Sequence, residues 1–239
     1  MNEQLLNVMK DKGDYPKGLP GPDVILKGDA QLGFFGEMAE SALIKYDDLV
    51  TAVGMTFGTK PTAAAIAATG LGWVKVAYKE NVLYIPKSSV RNTVSWNLLN
   101  GIGVVTAAQN KIIEIQGYKF RVRLMNGCNV NPYTGSNNAA GGPQTVGTEW
   151  NKIMYGLMAD SAGTDLEGPA LANMSPTALG LTGVNSTGGS SPIIQEIASG
   201  TDGLVRGNAS GAYKGLYRHP LTGADFNRGW KPVLEYVPD

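Results

Sequence analysis

Near its C-terminal end the chain carries Gly229-Trp230-Lys231-Pro232-Val233-Leu234-Glu235. Gly229 permits a tight approach turn. Trp230, Val233 and Leu234 supply large apolar area, and full burial stabilises by about 1.5–3 kcal/mol per side chain. Pro232 has no backbone N–H to offer a ladder, so it fits an edge or bulge position. The stretch reads as the start of a strand over 229–237 that closes the fold, with Trp230 deep in the core.

Working outward, 193–197 and Leu204-Val205-Arg206-Gly207 are short strand candidates. Arg206 either pairs with Glu196 or Glu235 or lies on the surface. Upstream, Thr148 caps a helix in which Trp150, Ile153, Met154 and Leu157 recur at helical spacing, as an amphipathic core helix requires. Ile112-Ile113-Glu114-Ile115 and 118–124 flank the turn Gln116-Gly117. In the second arm Tyr118, Phe120, Val122 and Leu124 alternate with Lys119, Arg121 and Arg123, which predicts a half-buried strand with one cationic face. A further hairpin joins 73–78 to 82–86 through Lys79-Glu80-Asn81. A short helix over 95–100 follows it, with Trp96 and Leu99 three apart. Trp73, Trp96, Trp150 and Trp230 are the expected structural core.

Before the first hairpin the signals are weaker. Asp47 or Asp48 can cap a helix that buries Leu49, Val50 and Val53 and ends at Gly54. A short helix candidate spans 4–9. Pro16, Pro20 and Pro22 with Gly18 and Gly21 then block regular structure. That segment is either a disordered tail or an arm ordered on a neighbouring subunit. The division expected is 1–30 as an extended docking arm, 31–65 as a small helical or linker segment, and 66–239 as the main domain. The fold class is α+β, built from short hairpins, two short helices and long loops. The loops at 126–147 and 159–192 are polar and rich in Gly, Ser and Asn, and long loops of this kind tend to be functional.

Composition narrows the functions. The formal net charge is +0, and no run of Lys or Arg exceeds one residue. Nucleic-acid binding, which draws its affinity from phosphate neutralisation, is not expected. No apolar run approaches the ~20 residues of a membrane helix, and the N-terminus lacks a signal-peptide pattern. The single Cys128 forbids an intrachain disulfide, and with the single His219 it excludes the usual zinc sites. Nothing around Cys128 would depress its pKa, and His219 reads as an exposed loop residue. Asp160, Asp165 and Glu167 either bind calcium weakly or form a solvated acidic loop. No P-loop, dinucleotide fingerprint or Gly-x-Ser-x-Gly is present. The chain is expected to be non-enzymatic, without cofactor or metal.

Three fragments carry a family resemblance: Glu149-Trp150-Asn151-Lys152-Ile153-Met154-Tyr155, then Gln195-Glu196 with 204–207, then 229–235. Together with Gly33-Phe34-Phe35-Gly36-Glu37 and Gly54-Met55-Thr56-Phe57-Gly58-Thr59 they resemble a group of tailed-bacteriophage virion proteins that end in a Gly-Trp-Arg-Pro-Val-Leu-Glu-like strand. That ending is similar in turn to the one that closes C-type-lectin-like folds. The resemblance implies a virion structural protein of the tail fibre, baseplate or collar, assembled in the host cytoplasm. It implies docking on other virion proteins through the arm, homo-oligomerisation, and a C-type-lectin-like domain whose closing strand brings the chain ends together. Formylglycine-generating activity needs paired cysteines and is not implied. Calcium-dependent sugar binding needs Trp-Asn-Asp, whereas Lys152 follows Trp150-Asn151. The competing expectations are a host receptor- or glycan-binding module and a capsid decoration protein. For the former, Asn129, Asn131, Tyr133, Asn137 and Asn138 offer amide and aromatic groups suited to sugars.

Overall fold

The stretch 229–235 serves two sheets rather than one strand. A computed structural model describes residues 15–62, 70–181, 188–207 and 213–239. The helix candidate 4–9 and most of the Ala-rich stretch after Pro61 lie outside the described residues.

In chain order the strands are β1 (Lys27–Gly28), β2 (Leu32–Met38), β3 (Trp73–Tyr78), β4 (Asn81–Pro86), β5 (Arg91–Asn92), β6 (Ile112–Ile115), β7 (Tyr118–Arg123), β8 (Ser191–Ile197), β9 (Asp202–Arg206), β10 (Leu216–Pro220), β11 (Arg228–Trp230) and β12 (Val233–Val237). The α+β reading holds, with sheet dominant and helices short. The helix Tyr46–Val53 ends as expected on Gly54, whose φ of 74° is left-handed. Its N-cap is Lys45, and Asp47 and Asp48 occupy the first turn instead. Ser95 caps the helix Trp96–Gly101 by accepting from the Leu98 N–H. The helix after Thr148 contains a π-helical turn, Asn151–Tyr155.

Both predicted hairpins form. Lys79 and Glu80 have φ of 51° and 64°, and Gln116 and Gly117 have 53° and 83°. Two consecutive left-handed residues make the tight turn that matches strand twist. Asn81 thus belongs to β4 opposite Tyr78, and the loop has two residues rather than three.

One sheet has the order β1-β2-β3-β4-β12-β7-β6, antiparallel throughout. Its central strands are apolar on both sides because both sides are covered. Phe35, Trp73, Tyr84, Phe120 and Leu234 face a core with Leu49 and Val53. Val74, Val76, Leu83, Ile85 and Val233 face a second core with Trp150, Ile153, Met154 and Leu157. The other sheet has the order β10-β9-β8-β11-β5, with β8 and β11 parallel.

Several expectations change. Residues 32–38 form a strand, not part of a helical linker, and β2 pairs with β3 across the expected boundary at 65/66. Residues 15–30 are not a free arm, since Leu19, Ile25 and Ala30 are buried against the same chain. β12 lies between β4 and β7, four positions from β1, so the last strand does not neighbour the first. His219 sits in β10, not in an exposed loop.

The 229–237 strand breaks at Lys231-Pro232. Trp230 pairs with Arg91 in the five-stranded sheet, and Leu234 pairs with Tyr84 and Val122 in the seven-stranded one. Pro232, which has no N–H to place, marks the passage. Trp230 is fully buried. Trp230→Ala should therefore cost about 3–5 kcal/mol, measured as a lowered urea midpoint. A loss under about 1 kcal/mol would contradict its place in the core.

Candidate functional site

The loop expected to face a ligand is tied down by the groups that were to bind it. Tyr133 is buried; its N–H donates to Ile197 O at 2.9 Å and its hydroxyl to Ser136 O at 2.7 Å. Asn131 Oδ1 accepts from Ile197 N at 3.2 Å, and Asn137 Oδ1 from Arg218 N at 2.7 Å. Asn138 exchanges two backbone hydrogen bonds with Leu216 and accepts from Ala140 N at 2.9 Å. Asn129 Nδ2 donates to Val146 O. These residues staple the loop to β8 and β10, and Tyr133 is not presented to solvent. Of the expected core tryptophans, Trp73, Trp150 and Trp230 are fully buried. Trp96 is only half-buried, with its Nε1 donating to Gln195 O at 3.1 Å.

A cleft of about 510 Å³ lies beside the cationic face of β7, lined by Tyr78, Arg123, Asn126, Glu149, Gln195 and Glu235 among others, and of the residues expected to face a ligand Asn129 reaches it. Strand alternation puts Arg121 and Arg123 on one side of the sheet, and cross-strand pairing with β12 puts Glu235 there too. Arg123 binds Glu149 through two parallel bonds of 2.7 Å and Glu235 Oε2 through Nε at 2.6 Å. Arg121 reaches Glu235 Oε1 at 3.0 Å. Burial opposes the Arg123 charge, but Glu149 and Glu235 more than restore it and push its pKa up. The four charges cancel, and each carboxylate is held by a guanidinium. The arrangement forms a rigid polar wall rather than a poised acid/base pair. The Arg-x-Arg spacing was visible in sequence; the acidic partners were not, because they arrive from a helix start and from the final strand.

Beneath this wall lies Arg206, fully buried, paired with neither Glu196 nor Glu235. It donates to Gly215 O at 3.2 Å, Gly127 O at 2.8 Å, Asn151 Oδ1 at 2.8 Å, and Tyr155 Oη and Lys214 O at 3.1 Å. The π-helical turn brings Asn151 and Tyr155 to the same guanidinium, whose carbon lies 5.4 Å from the Trp150 ring centroid. Burial pulls its pKa down to about 10. Glu196 accepts instead from Asn126 Nδ2 at 2.6 Å, Gly127 N at 3.0 Å and Cys128 N at 3.2 Å.

Lys231 is buried where the two sheets meet. Its Nζ donates to Lys87 O at 2.8 Å, Leu179 O at 3.0 Å and Pro86 O. Burial, and then repulsion from Lys87, push its pKa down to about 7.

The other candidate groups are separately engaged. Cys128 is buried, its Sγ donates to Val130 O, and burial pushes its thiol pKa up, the opposite of nucleophile activation. Burial, followed by Arg228, lowers the His219 pKa. Asp160 holds Asn173, Asp165 pairs with Lys214, and Glu167 accepts from Asn151 Nδ2 at 2.7 Å. No group of three or more His, Cys, Asp or Glu among the described residues is placed to hold a metal ion. No helix among them is long and apolar enough to cross a membrane. No family model, curated protein or solved structure matches the chain.

Two outcomes follow from these charges. Glu149→Ala leaves the buried Arg123 guanidinium half-paired and should cost about 3 kcal/mol in urea unfolding; a change under about 0.5 kcal/mol would mean the wall is not structural. For Lys231, the folded pKa of about 7 lies below its ordinary 10.5. Below pH 7 both folded and unfolded chains carry the proton, and the folded state bears the full cost of burying it. Between these values only the unfolded chain binds it, so stability rises with pH. Lys75, also lowered by burial, acts with the same sign. The difference between wild type and Lys231→Met isolates Lys231. Urea midpoints should rise more steeply from pH 7 to 9 in the wild type, and equal slopes would refute the assignment.

Proposed function

We propose that this chain is a structural protein of a tailed-bacteriophage virion, in the tail fibre, baseplate or collar, and that it displays a C-type-lectin-like domain. One observation carries this reading. The three sequence fragments behind the phage resemblance interlock in space. Arg206 of the second fragment packs on Trp150, Asn151 and Tyr155 of the first. Glu149 of the first reaches Glu235 of the third through Arg123. Residues far apart in the chain thus share one framework, which supports treating the fragments as the signature of a scaffold rather than as chance matches. A scaffold that spends its charged groups on holding loops suits display and assembly. In this reading the protein assembles in the host cytoplasm, resides in the virion as a homo-oligomer, and contacts other virion proteins.

A second reading rests on the cleft. Tyr78, Asn126 and Gln195 beside a charge-neutral wall form a mixed polar and aromatic surface of the kind that takes a host glycan. Loss of glycan-array binding in Tyr78→Ala would support it, and an array without any signal would remove it. The virion assignment is tested by mass spectrometry of gradient-purified particles of the encoding phage. We expect the chain as a stoichiometric component, with a copy number matching tail or collar symmetry. Absence from particles would overturn the assignment, and a copy number matching the capsid lattice would move it to head decoration.

A further inference from the structure

One face of the seven-stranded sheet is already occupied by a segment of the same chain. The segment runs Tyr15-Pro16-Lys17-Gly18-Leu19-Pro20-Gly21-Pro22-Asp23-Val24-Ile25. Its three prolines have no N–H, so its carbonyl acceptors outnumber its backbone donors. The sheet answers with side-chain donors from three strands. Tyr118 Oη donates to Gly18 O at 2.7 Å, Lys75 Nζ to Leu19 O at 3.2 Å, and Tyr84 Oη to Pro20 O at 2.8 Å. Three successive carbonyls are thereby read. Lys75 Nζ also meets Asp23 Oδ1 at 3.2 Å, and it lies 5.0 Å from the Phe35 ring centroid and 5.9 Å from that of Tyr84. Leu19 and Ile25 are buried, and the Tyr15 ring stands edge-on to Phe35 at 5.1 Å. At Gly21, φ is 83°, a left-handed backbone conformation that would strain any side chain, and a Cβ there would also displace the end of Met38. This is a built receptor for a proline-rich segment.

We propose that this face is an exchange site, on which the 15–25 segment of a second copy replaces the chain's own. The hydrogen bonds and the ion pair named here join sheet side chains to the segment, so the same set can form between chains. Exchange costs association entropy and the re-routing of a short hinge, because the Leu26 N–H already donates to Phe34 O at 2.7 Å and Lys27–Gly28 pairs with β2. The connector out of the segment is exposed and apolar: Val24 is 49% and Leu26 59% accessible, two of the seven large apolar side chains exposed among the described residues. A copy close enough to exchange segments would cover them. The many adjacent copies that would offset the entropy cost are supplied by the virion role proposed above, on which this step rests.

The test uses full-length chains. One batch carries a donor dye at Lys17→Cys, the other an acceptor at Glu114→Cys on the edge strand β6; the native Cys128 is buried and does not compete for label. Energy transfer between mixed chains should appear and grow with concentration. Repeating it in a Tyr84→Phe/Tyr118→Phe background, which keeps the rings but removes two donors, should leave the final transfer unchanged, because closed and exchanged states lose the same bonds. It should speed the appearance of transfer on the order of tenfold, because the segment must be released before it exchanges. Absence of interchain transfer at any concentration, or transfer whose rate is indifferent to the two hydroxyls, overturns the proposal. Neither result touches the virion assignment, which depends on particle composition.

Discussion

A buried ammonium at the junction of two sheets is the constraint around which the rest is arranged. Lys231 follows Trp230 of one sheet and, across Pro232, precedes Val233 of the other. Taking an ammonium out of water costs several kcal/mol. Three carbonyls that accept from it recover only part of that cost, since its pKa still falls to about 7: Pro86 at the end of β4, Lys87 beyond it, and Leu179 from the long loop. The same side chain therefore ties together the crossing, the exit of a central strand and a loop whose Leu171, Leu179 and Leu181 are buried in the second core.

The same solution recurs at three other buried cations. Lys75 holds the 15–25 segment, Arg123 ties the start of the Trp150 helix to β12, and Arg206 gathers carbonyls of Gly127, Lys214 and Gly215. A chain with 32 glycines and 13 prolines is rich in irregular backbone whose carbonyls need donors. Lysine offers three donors and arginine five, so a single strand residue can satisfy several loop carbonyls at once. Among the described residues Arg206 and Lys231 have no carboxylate partner and donate to neutral oxygens.

What was legible in the sequence was local. The two hairpins, the helix ending at Gly54, the short helix expected over 95–100 and the Trp150 periodicity each depend on neighbours within a few residues, and each forms, though the second helix runs Trp96–Gly101 with Ser95 as its cap. Strand order was not legible, because β12 inserts between β4 and β7 by contacts more than a hundred residues apart in the chain. β10 was missed because Leu216, Tyr217, Arg218, His219 and Pro220 lack a clear apolar alternation and end in proline. In the 15–30 segment the prolines correctly forbade regular structure but said nothing of burial, which needs no periodicity. The asparagines of the 126–147 loop read as ligand groups, yet the same chemistry serves equally well to hold a turn. Of the cleft, Arg123 of the Arg-x-Arg face and Asn129, one of the residues expected to face a ligand, could be seen in advance.

The Lys231-Pro232 crossing makes the two sheets one cooperative unit, and native-state hydrogen exchange measured against denaturant reads this out. Amides of Val205 in the five-stranded sheet and of Val122 in the seven-stranded sheet should exchange through the same global opening, with equal free energies and equal denaturant dependence. Exchange of Val205 through a separate opening of lower free energy, with Val122 still protected, would contradict the account.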